Sequence, residues 1–179
     1  MQVTDICIMK MAGIFQAQMD DIKDLVFLVN HAYRGESAKK GWTTEADLLD
    51  GLRTNAETLA EILNSPDSTI LIYRTDKEVI GCVYLLQQLK QLYLGMLTVH
   101  PENQGLGIGK KLLAAAEQFA LEKDCLEMVM TVISVRNELI EWYERNGYFK
   151  TGETKPFPTD IKFGIPKQPL EFIVLKKKL

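Results

Sequence analysis

The sequence predicts one α/β domain built on a mixed β-sheet. Three observations carry this. The chain has 179 residues, 46% hydrophobic and 25% charged, which suits one globular domain with a real core. Residues 68–99 hold three β-rich runs separated by short turns, the pattern of an antiparallel meander. Residues 92–135 then read strand–helix–strand, which implies a right-handed crossover and a parallel pairing.

Taken in order, Ile6 to Met11 reads as a first strand. Asp20 and Asp21 favour a helix start, and Ile22, Leu25, Val26, Val29 and Ala32 give a helical stripe to about Tyr33, ended by Gly35. Arg34 to Trp42 is a polar loop. Thr44-x-x-Asp47 resembles a capping box and predicts a second helix to about Arg53, with a further helical stretch from Asn55 to Leu63 closed by Pro66. Ser68 to Arg74 and Glu78 to Leu86 form a hairpin through Thr75-Asp76-Lys77. A second turn at Gln87 to Lys90 leads into Leu92 to Val99, where Gly95 marks a bulge. After a glycine-rich turn, Ile108, Leu112, Ala115, Ala116 and Phe119 fall on one helical face, to about Lys123. Cys125 to Val135 is almost wholly apolar or β-branched, as expected of a strand buried on both faces. Asn137 is the expected cap of a short helix ended by Asn146-Gly147, and Tyr148 to Lys150 begins another strand. Thr151 to Pro169 holds four of the six prolines and reads as a stiff loop before a closing strand, Leu170 to Leu175.

The chemistry is concentrated in Val99-His100-Pro101-Glu102-Asn103-Gln104-Gly105-Leu106-Gly107-Ile108-Gly109-Lys110-Lys111. Three glycines at alternate positions sit between a strand and a helix. Such a turn lets successive N–H groups point into one concavity, and the helix start adds unpaired N–H groups and the positive end of its dipole. The product is an anion site whose usual occupant is phosphate, although three glycines alone also suit a plain tight turn. The P-loop pattern fails, because Gly105 and Gly109 have three residues between them and Lys110 is followed by Lys111 rather than a hydroxyl. The dinucleotide fingerprint fails as well: the spacing is G-x-G-x-G and the next strand ends without a carboxylate.

Gln104-x-x-Gly107-x-Gly109 resembles the Q/R-x-x-G-x-G/A signature of the GNAT superfamily of acyl-CoA-dependent N-acetyltransferases, preceded by the run-in Leu97-Thr98-Val99-His100-Pro101. About thirty residues later, Asn137-Glu138-Leu139-Ile140-Glu141-Trp142-Tyr143-Glu144-Arg145-Asn146-Gly147-Tyr148 looks like the family's second motif, N-x5-Y-x3-G-F/Y. The resemblance covers roughly residues 68–150 as an acetyl-CoA-binding core within a single domain spanning 1–179. It implies a sheet of about six to seven strands with helices on both faces, and acetyl-CoA as co-substrate. By resemblance, the main chain of Leu97, Thr98 and Val99 meets the pantetheine arm, and a Leu97 N–H donates to the oxyanion. Gln104, Gly105, Leu106, Gly107, Ile108, Gly109 and Lys110 surround the phosphates, and Asn137 binds the pantetheine arm. Tyr143 resembles the tyrosine that protonates the departing sulfur. The first helices and the last loop wall the acceptor pocket in this family, which makes Tyr33, Glu36, Trp42, Glu45, Tyr93 and Phe157 pocket candidates. Gln104 stands where many relatives carry arginine, so less charge meets the phosphate.

An alkylammonium of pKa ~10.4 is neutral in only about one molecule in 10³ at pH 7, so a base or a water relay to one is useful. None is evident on the strand 92–99, and Glu36 and Glu45 are the remaining candidates, through water. The acceptor is expected to be a small-molecule amine or a protein or peptide amine, attacked directly in a ternary complex. A non-catalytic acyl-CoA-binding sensor on the same fold is the alternative, and an unrelated phosphate-binding module a third.

Composition narrows the partners. The formal charge of −3, with no basic stripe, argues against nucleic acid. No apolar run reaches the ~18 residues of a membrane span, and the first residues do not read as a signal peptide. Cys7, Cys82 and Cys125 are odd in number and lie in apolar runs, which fits reduced thiols in the cytoplasm. With His31 and His100 the only histidines, no metal site is expected. The resemblance implies a homodimer as one possible state, since edge strands support dimers in that family.

Overall fold

The computed structural model describes residues 12–76 and 78–179. Ile6 to Met11, Cys7 and Lys77 therefore lie outside the described residues. In chain order the elements are β1 (Gly13–Gln16), α1 (Ile22–Tyr33), α2 (Gly35–Ala38), β2 (Leu49–Asp50), α3 (Ala56–Asn64), β3 (Ser68–Arg74), β4 (Val79–Gln88), β5 (Gln91–Val99), α4 (Ile108–Glu122), β6 (Glu127–Ile133), α5 (Asn137–Arg145), β7 (Phe149–Pro156), β8 (Ile165–Pro166) and β9 (Glu171–Lys178).

Seven strands form one sheet in the order β1-β3-β4-β5-β6-β9-β7. The meander β3–β4–β5 is antiparallel, and β5 pairs parallel with β6, as the strand–helix–strand pattern predicts. Side chains alternate across each strand. Leu71, Val83 and Leu85 join one apolar cluster with Leu112, Leu113 and Ala116 of α4 and Ile140 of α5. Ile70, Ile72 and Cys82 join a second with Leu25, Leu28 and Val29 of α1 and Leu59 of α3. The helices thus cover both faces. Asn55 caps α3 by accepting from the Thr58 N–H at 2.8 Å.

The bulge falls one residue beyond Gly95. Tyr84 faces Gly95 and Cys82 faces Thr98, so Met96 and Leu97 together oppose Val83. Met96 absorbs the irregularity at φ 51°.

Four expectations are corrected. Residues 44–53 are not a helix. The Thr44 hydroxyl accepts from the Ala46 N–H at 3.2 Å and the Leu48 and Leu49 N–H groups both donate to the Glu45 carbonyl at 2.9 Å, a single helical turn that is not continued. The Glu45 N–H donates to the Tyr33 carbonyl at 3.0 Å, and Leu49–Asp50 pair with β8 instead. The polar loop 34–42 contains the short helix α2. Asn137 does not cap α5: Arg136 holds that position, and Asn137 is the first helical residue. The proline-rich loop is shorter than expected, because β7 continues to Pro156, paired with Glu171 of β9. A proline fits there because β7 is an edge strand, where a missing donor breaks no ladder bond.

Among the described residues, no helix is long and apolar enough to cross a membrane.

Candidate active site

The site originates in the sheet. β5 pairs with β6 only through Gln91–Tyr93, against Glu127–Val129. Beyond Tyr93 the parallel ladder stops, while β6 continues its pairing with β9 to Ile133. At the point of parting, the Tyr93 hydroxyl lies 2.9 Å from Thr131 Oγ1. The divergence opens a gap bordered by the second half of β5, and α5 follows β6 into it.

Two cavities meet there. One, about 790 Å³, is lined from α1, the 52–55 turn, α3, β5, β6 and the 155–162 segment. The other, about 530 Å³, is lined by the glycine turn, the start of α4 and one face of α5. Leu97, Leu139 and Tyr143 line both. A molecule entering from either side reaches the same three residues.

The second cavity suits a phosphorylated ligand. Gly105 and Gly107 adopt φ 81° and 78°, a left-handed geometry that L side chains resist. Gly107 caps α4 without any side-chain cap, so the first N–H groups of a 15-residue helix remain for a ligand. The expected result for Gly107→Ala is a loss of about 1 kcal/mol of stability from backbone strain, since a Cβ there meets nothing within 4 Å. It is read by urea denaturation, alongside weakened binding of CoA by calorimetry.

Gln104 orients this turn. Its Oε1 accepts from the Trp42 N–H at 3.0 Å, and its Nε2 donates to Thr43 Oγ1 at 2.9 Å and to the Val99 carbonyl at 3.2 Å. It ties the glycine turn to residues 42–43, an attachment the sequence did not disclose. Close approach requires Gly41, where a Cβ would come within 2.8 Å of Gln104 Oε1.

The expected phosphate and pantetheine residues divide. Leu97, Val99, Gln104, Gly105, Gly107, Ile108, Gly109, Lys110 and Tyr143 line the second cavity. Thr98, Leu106 and Asn137 do not. Thr98 is buried, and its hydroxyl donates to the Met96 carbonyl at 2.9 Å. The Leu106 side chain is exposed, and Asn137 stands exposed at the start of α5. Two carbonyls expected to meet a pantetheine arm already have protein donors: Leu97 accepts from the Tyr33 hydroxyl at 2.6 Å, and Val99 from Gln104. Trp142, which sequence reasoning passed over although it precedes Tyr143, lines the same cavity.

The expected acceptor residues divide as well. Tyr33, Glu45 and Tyr93 line the first cavity. Trp42 lines the second instead, its ring 6.3 Å from that of Trp142, because Gln104 holds its backbone there. Glu36 lies on the surface, paired with Lys39 at 2.7 Å, and borders a separate groove. Phe157 packs on Phe172 at 5.2 Å, and its neighbours Pro156 and Pro158, together with Phe172, line the cavity.

Glu45 has a second role. Its carboxylate is ion-paired to Arg34 and, at 3.2 Å, to Arg136, and all three residues are buried. The pairing explains why 44–53 abandons the helix: a buried carboxylate and two buried guanidiniums must stay together. Neither arginine was singled out from the sequence. Arg136 immediately precedes the second motif, and Arg34 immediately follows Tyr33.

Burial, the largest influence in each case, pushes the Tyr33 and Tyr143 hydroxyls above the ordinary tyrosine range, and both remain protonated at neutral pH. The Tyr143 hydroxyl makes no hydrogen bond among the described residues, which leaves its proton to a ligand in the shared space. Burial also pushes the Cys82 thiol up to about 12 and raises that of Cys125, so neither is a thiolate near neutral pH.

His31 and His100 stack beside the glycine turn with ring centroids 5.0 Å apart. Partial burial first, then His100 and Lys40, hold the His31 pKa below 6.5. The unfolded chain then takes this proton more readily than the folded one. His31's contribution is complete above pH 6.5 and is lost as pH falls below it. The urea midpoint is expected to fall on acidification through this range, with a shallower slope in His31→Gln.

A seven-stranded mixed sheet thus parts beside a glycine-capped helix. The sequence profile described as the Acetyltransferase (GNAT) family matches residues 28–148. The chain belongs to this family. It is 29% identical to human (Homo sapiens) N-acetyltransferase 8B over 124 residues, 65% of this chain and 54% of that protein. It is 28% identical to mouse (Mus musculus) N-acetyltransferase family 8 member 3 over 120 residues, 63% of this chain and 53% of that one. The chain spans about half the length of the curated relatives it matches. The fold is shared with the ribosomal-protein-S18-alanine N-acetyltransferase of Escherichia coli, at TM-score 0.71 and 13% identity over 94% of both chains. It is also shared with the PaiA N-acetyltransferase of Thermoplasma acidophilum in complex with coenzyme A, at TM-score 0.67 and 20% identity over 94% of this chain and 99% of that one.

Proposed function

We propose that this protein transfers an acetyl group from acetyl-CoA to a primary amine, by direct attack in a ternary complex. The observation that carries the reading is the meeting of the two cavities at Leu97 and Tyr143. One cavity has the donors for phosphate, the other has room for an acceptor, and the junction has a proton donor. Acetyl-CoA supplies the thioester.

The residues then divide the work. Gln104 and the N–H groups at the start of α4 hold the phosphates, with Lys110 beside them. The Leu97 N–H is the donor for the oxyanion, a contribution typically worth ~3 kcal/mol. The amine nitrogen bonds to the acetyl carbon and loses a proton to water. The C–S bond breaks, and Tyr143 gives its hydroxyl proton to the sulfur and regains one from solvent. Of the two candidate bases, Glu45 lines the acceptor cavity but is ion-paired to Arg34 and Arg136, whereas Glu36 does not line it, so water is the acceptor of the amine proton.

The test is free-thiol release from acetyl-CoA by the purified protein, against polyamines, amino acids, aminosugars, aminoglycosides and short peptides. Release with one class is the expected result. CoA binding without release from any amine replaces this reading with that of a sensor.

A further inference from the structure

We infer that the acceptor is an amine that also carries a carboxylate, and that Arg53 recognises that carboxylate. The inference rests on the acetyl-transfer reading above and names its substrate class.

Four cations line the acceptor cavity: Arg53, Arg136, Lys155 and Lys162. Three have carboxylate partners. Arg136 holds Glu45 at 3.2 Å, Lys155 lies 3.7 Å from Glu153, and Lys162 lies 3.2 Å from Asp160. Arg53 is half-buried, and its guanidinium has no carboxylate within 4.0 Å among the described residues. A charge withdrawn from water without a partner is costly, and the cost is recovered when a ligand supplies the anion.

Arg53 is also held in place. Asn30 Oδ1 accepts from the Arg53 N–H at 2.7 Å and from the Thr54 N–H at 3.3 Å, while Asn30 Nδ2 donates to the Thr54 carbonyl at 2.9 Å. The guanidinium then lies over the Tyr33 ring, its Cζ 5.7 Å from the centroid. Through its hydroxyl, that same Tyr33 holds the Leu97 carbonyl at the junction of the cavities. The free guanidinium and the expected reaction point are thus separated by one tyrosine ring. A second observation points the same way. Thr54 is buried on this wall, and its hydroxyl has no hydrogen-bond partner among the described residues.

The two carboxylates lining the cavity do not answer Arg53. Glu45 is committed to Arg34 and Arg136, and Glu61 is exposed on α3. The positive excess disfavours polyamines, which bring only cations. A planar guanidinium matches the two oxygens of a carboxylate. Leu52, Ile62 and Phe172 add apolar wall for the remainder of the molecule.

The experiment compares L-phenylalanine with L-phenylalaninamide as acceptors, by thiol release from acetyl-CoA. The amide has the more acidic ammonium, so availability of the free amine favours the amide. Recognition of the carboxylate reverses that order. The expected result is a kcat/KM at least tenfold higher for phenylalanine, with the preference largely lost in R53Q and partly kept in R53K. An equal or better amide, or transfer confined to carboxylate-free amines, overturns the inference while acetyl transfer stands. Full preference in R53Q also overturns it. Release from no amine overturns acetyl transfer itself. The wild-type comparison decides the substrate class even where R53Q does not fold.

Discussion

Tyr143→Phe is expected to lower kcat by about 10²-fold while the affinity for CoA changes little. The change removes one oxygen and preserves the ring, which packs at 5.0 Å and 5.7 Å against Trp142 and Tyr148. The apolar packing therefore survives, and a general acid is worth about 10²–10⁴ in rate. The low end is expected here, because a thiol of pKa ~8.5 already leaves moderately well. The hydroxyl has no partner among the described residues, so its loss breaks no structural bond. Steady-state thiol release and calorimetric titration with CoA separate the two quantities. Equal losses in both would make Tyr143 a wall of the site only. An unchanged kcat would move the proton donor elsewhere.

Glu45→Gln is expected to cost about 3–5 kcal/mol of stability, a substantial share of what a domain of this kind has. The glutamine keeps the shape and removes the charge, leaving Arg34 and Arg136 buried without the Glu45 carboxylate. The urea midpoint reports it. Glu36→Gln is the control, since the Glu36–Lys39 pair is exposed and its loss is expected to leave the midpoint where it was. A small effect for Glu45→Gln would mean that solvent reaches the two arginines through the cavity, and that the carboxylate is available for chemistry.

The glycine turn was legible in the sequence because it is written locally. The turn from Gln104 to Lys110 needs its glycines within a few residues of each other, and Gly105 and Gly107 do adopt the left-handed geometry that L side chains resist. The meander and the parallel crossover were legible for a similar reason: period-2 runs, turn residues and a helical stripe are short-range signals. Tyr143 was legible only through the spacing of a family motif.

Residues 44–53 show where local signals fail. Thr44 and Asp47 resemble a helix start, yet the segment makes one turn on the Glu45 carbonyl and then pairs Leu49–Asp50 with β8. The reason is Arg136, 91 positions along the chain from Glu45, whose charge must be neutralised in the interior. No window of sequence contains both residues. Trp42 repeats the lesson: Gln104, 62 positions away, fixes its backbone beside the glycine turn rather than in the acceptor cavity.

The sequence by itself determined the meander, the parallel crossover, the glycine turn and the family, because each depends on neighbours in the chain. Tertiary structure alone decided which side chains share a cavity. It set the parting of β5 from β6, the burial of Arg34–Glu45–Arg136 and the placing of the Arg53 guanidinium over Tyr33 with no carboxylate partner among the described residues. These depend on packing and on charge balance between distant segments, and charge balance in a low-dielectric interior is a property of the assembled fold.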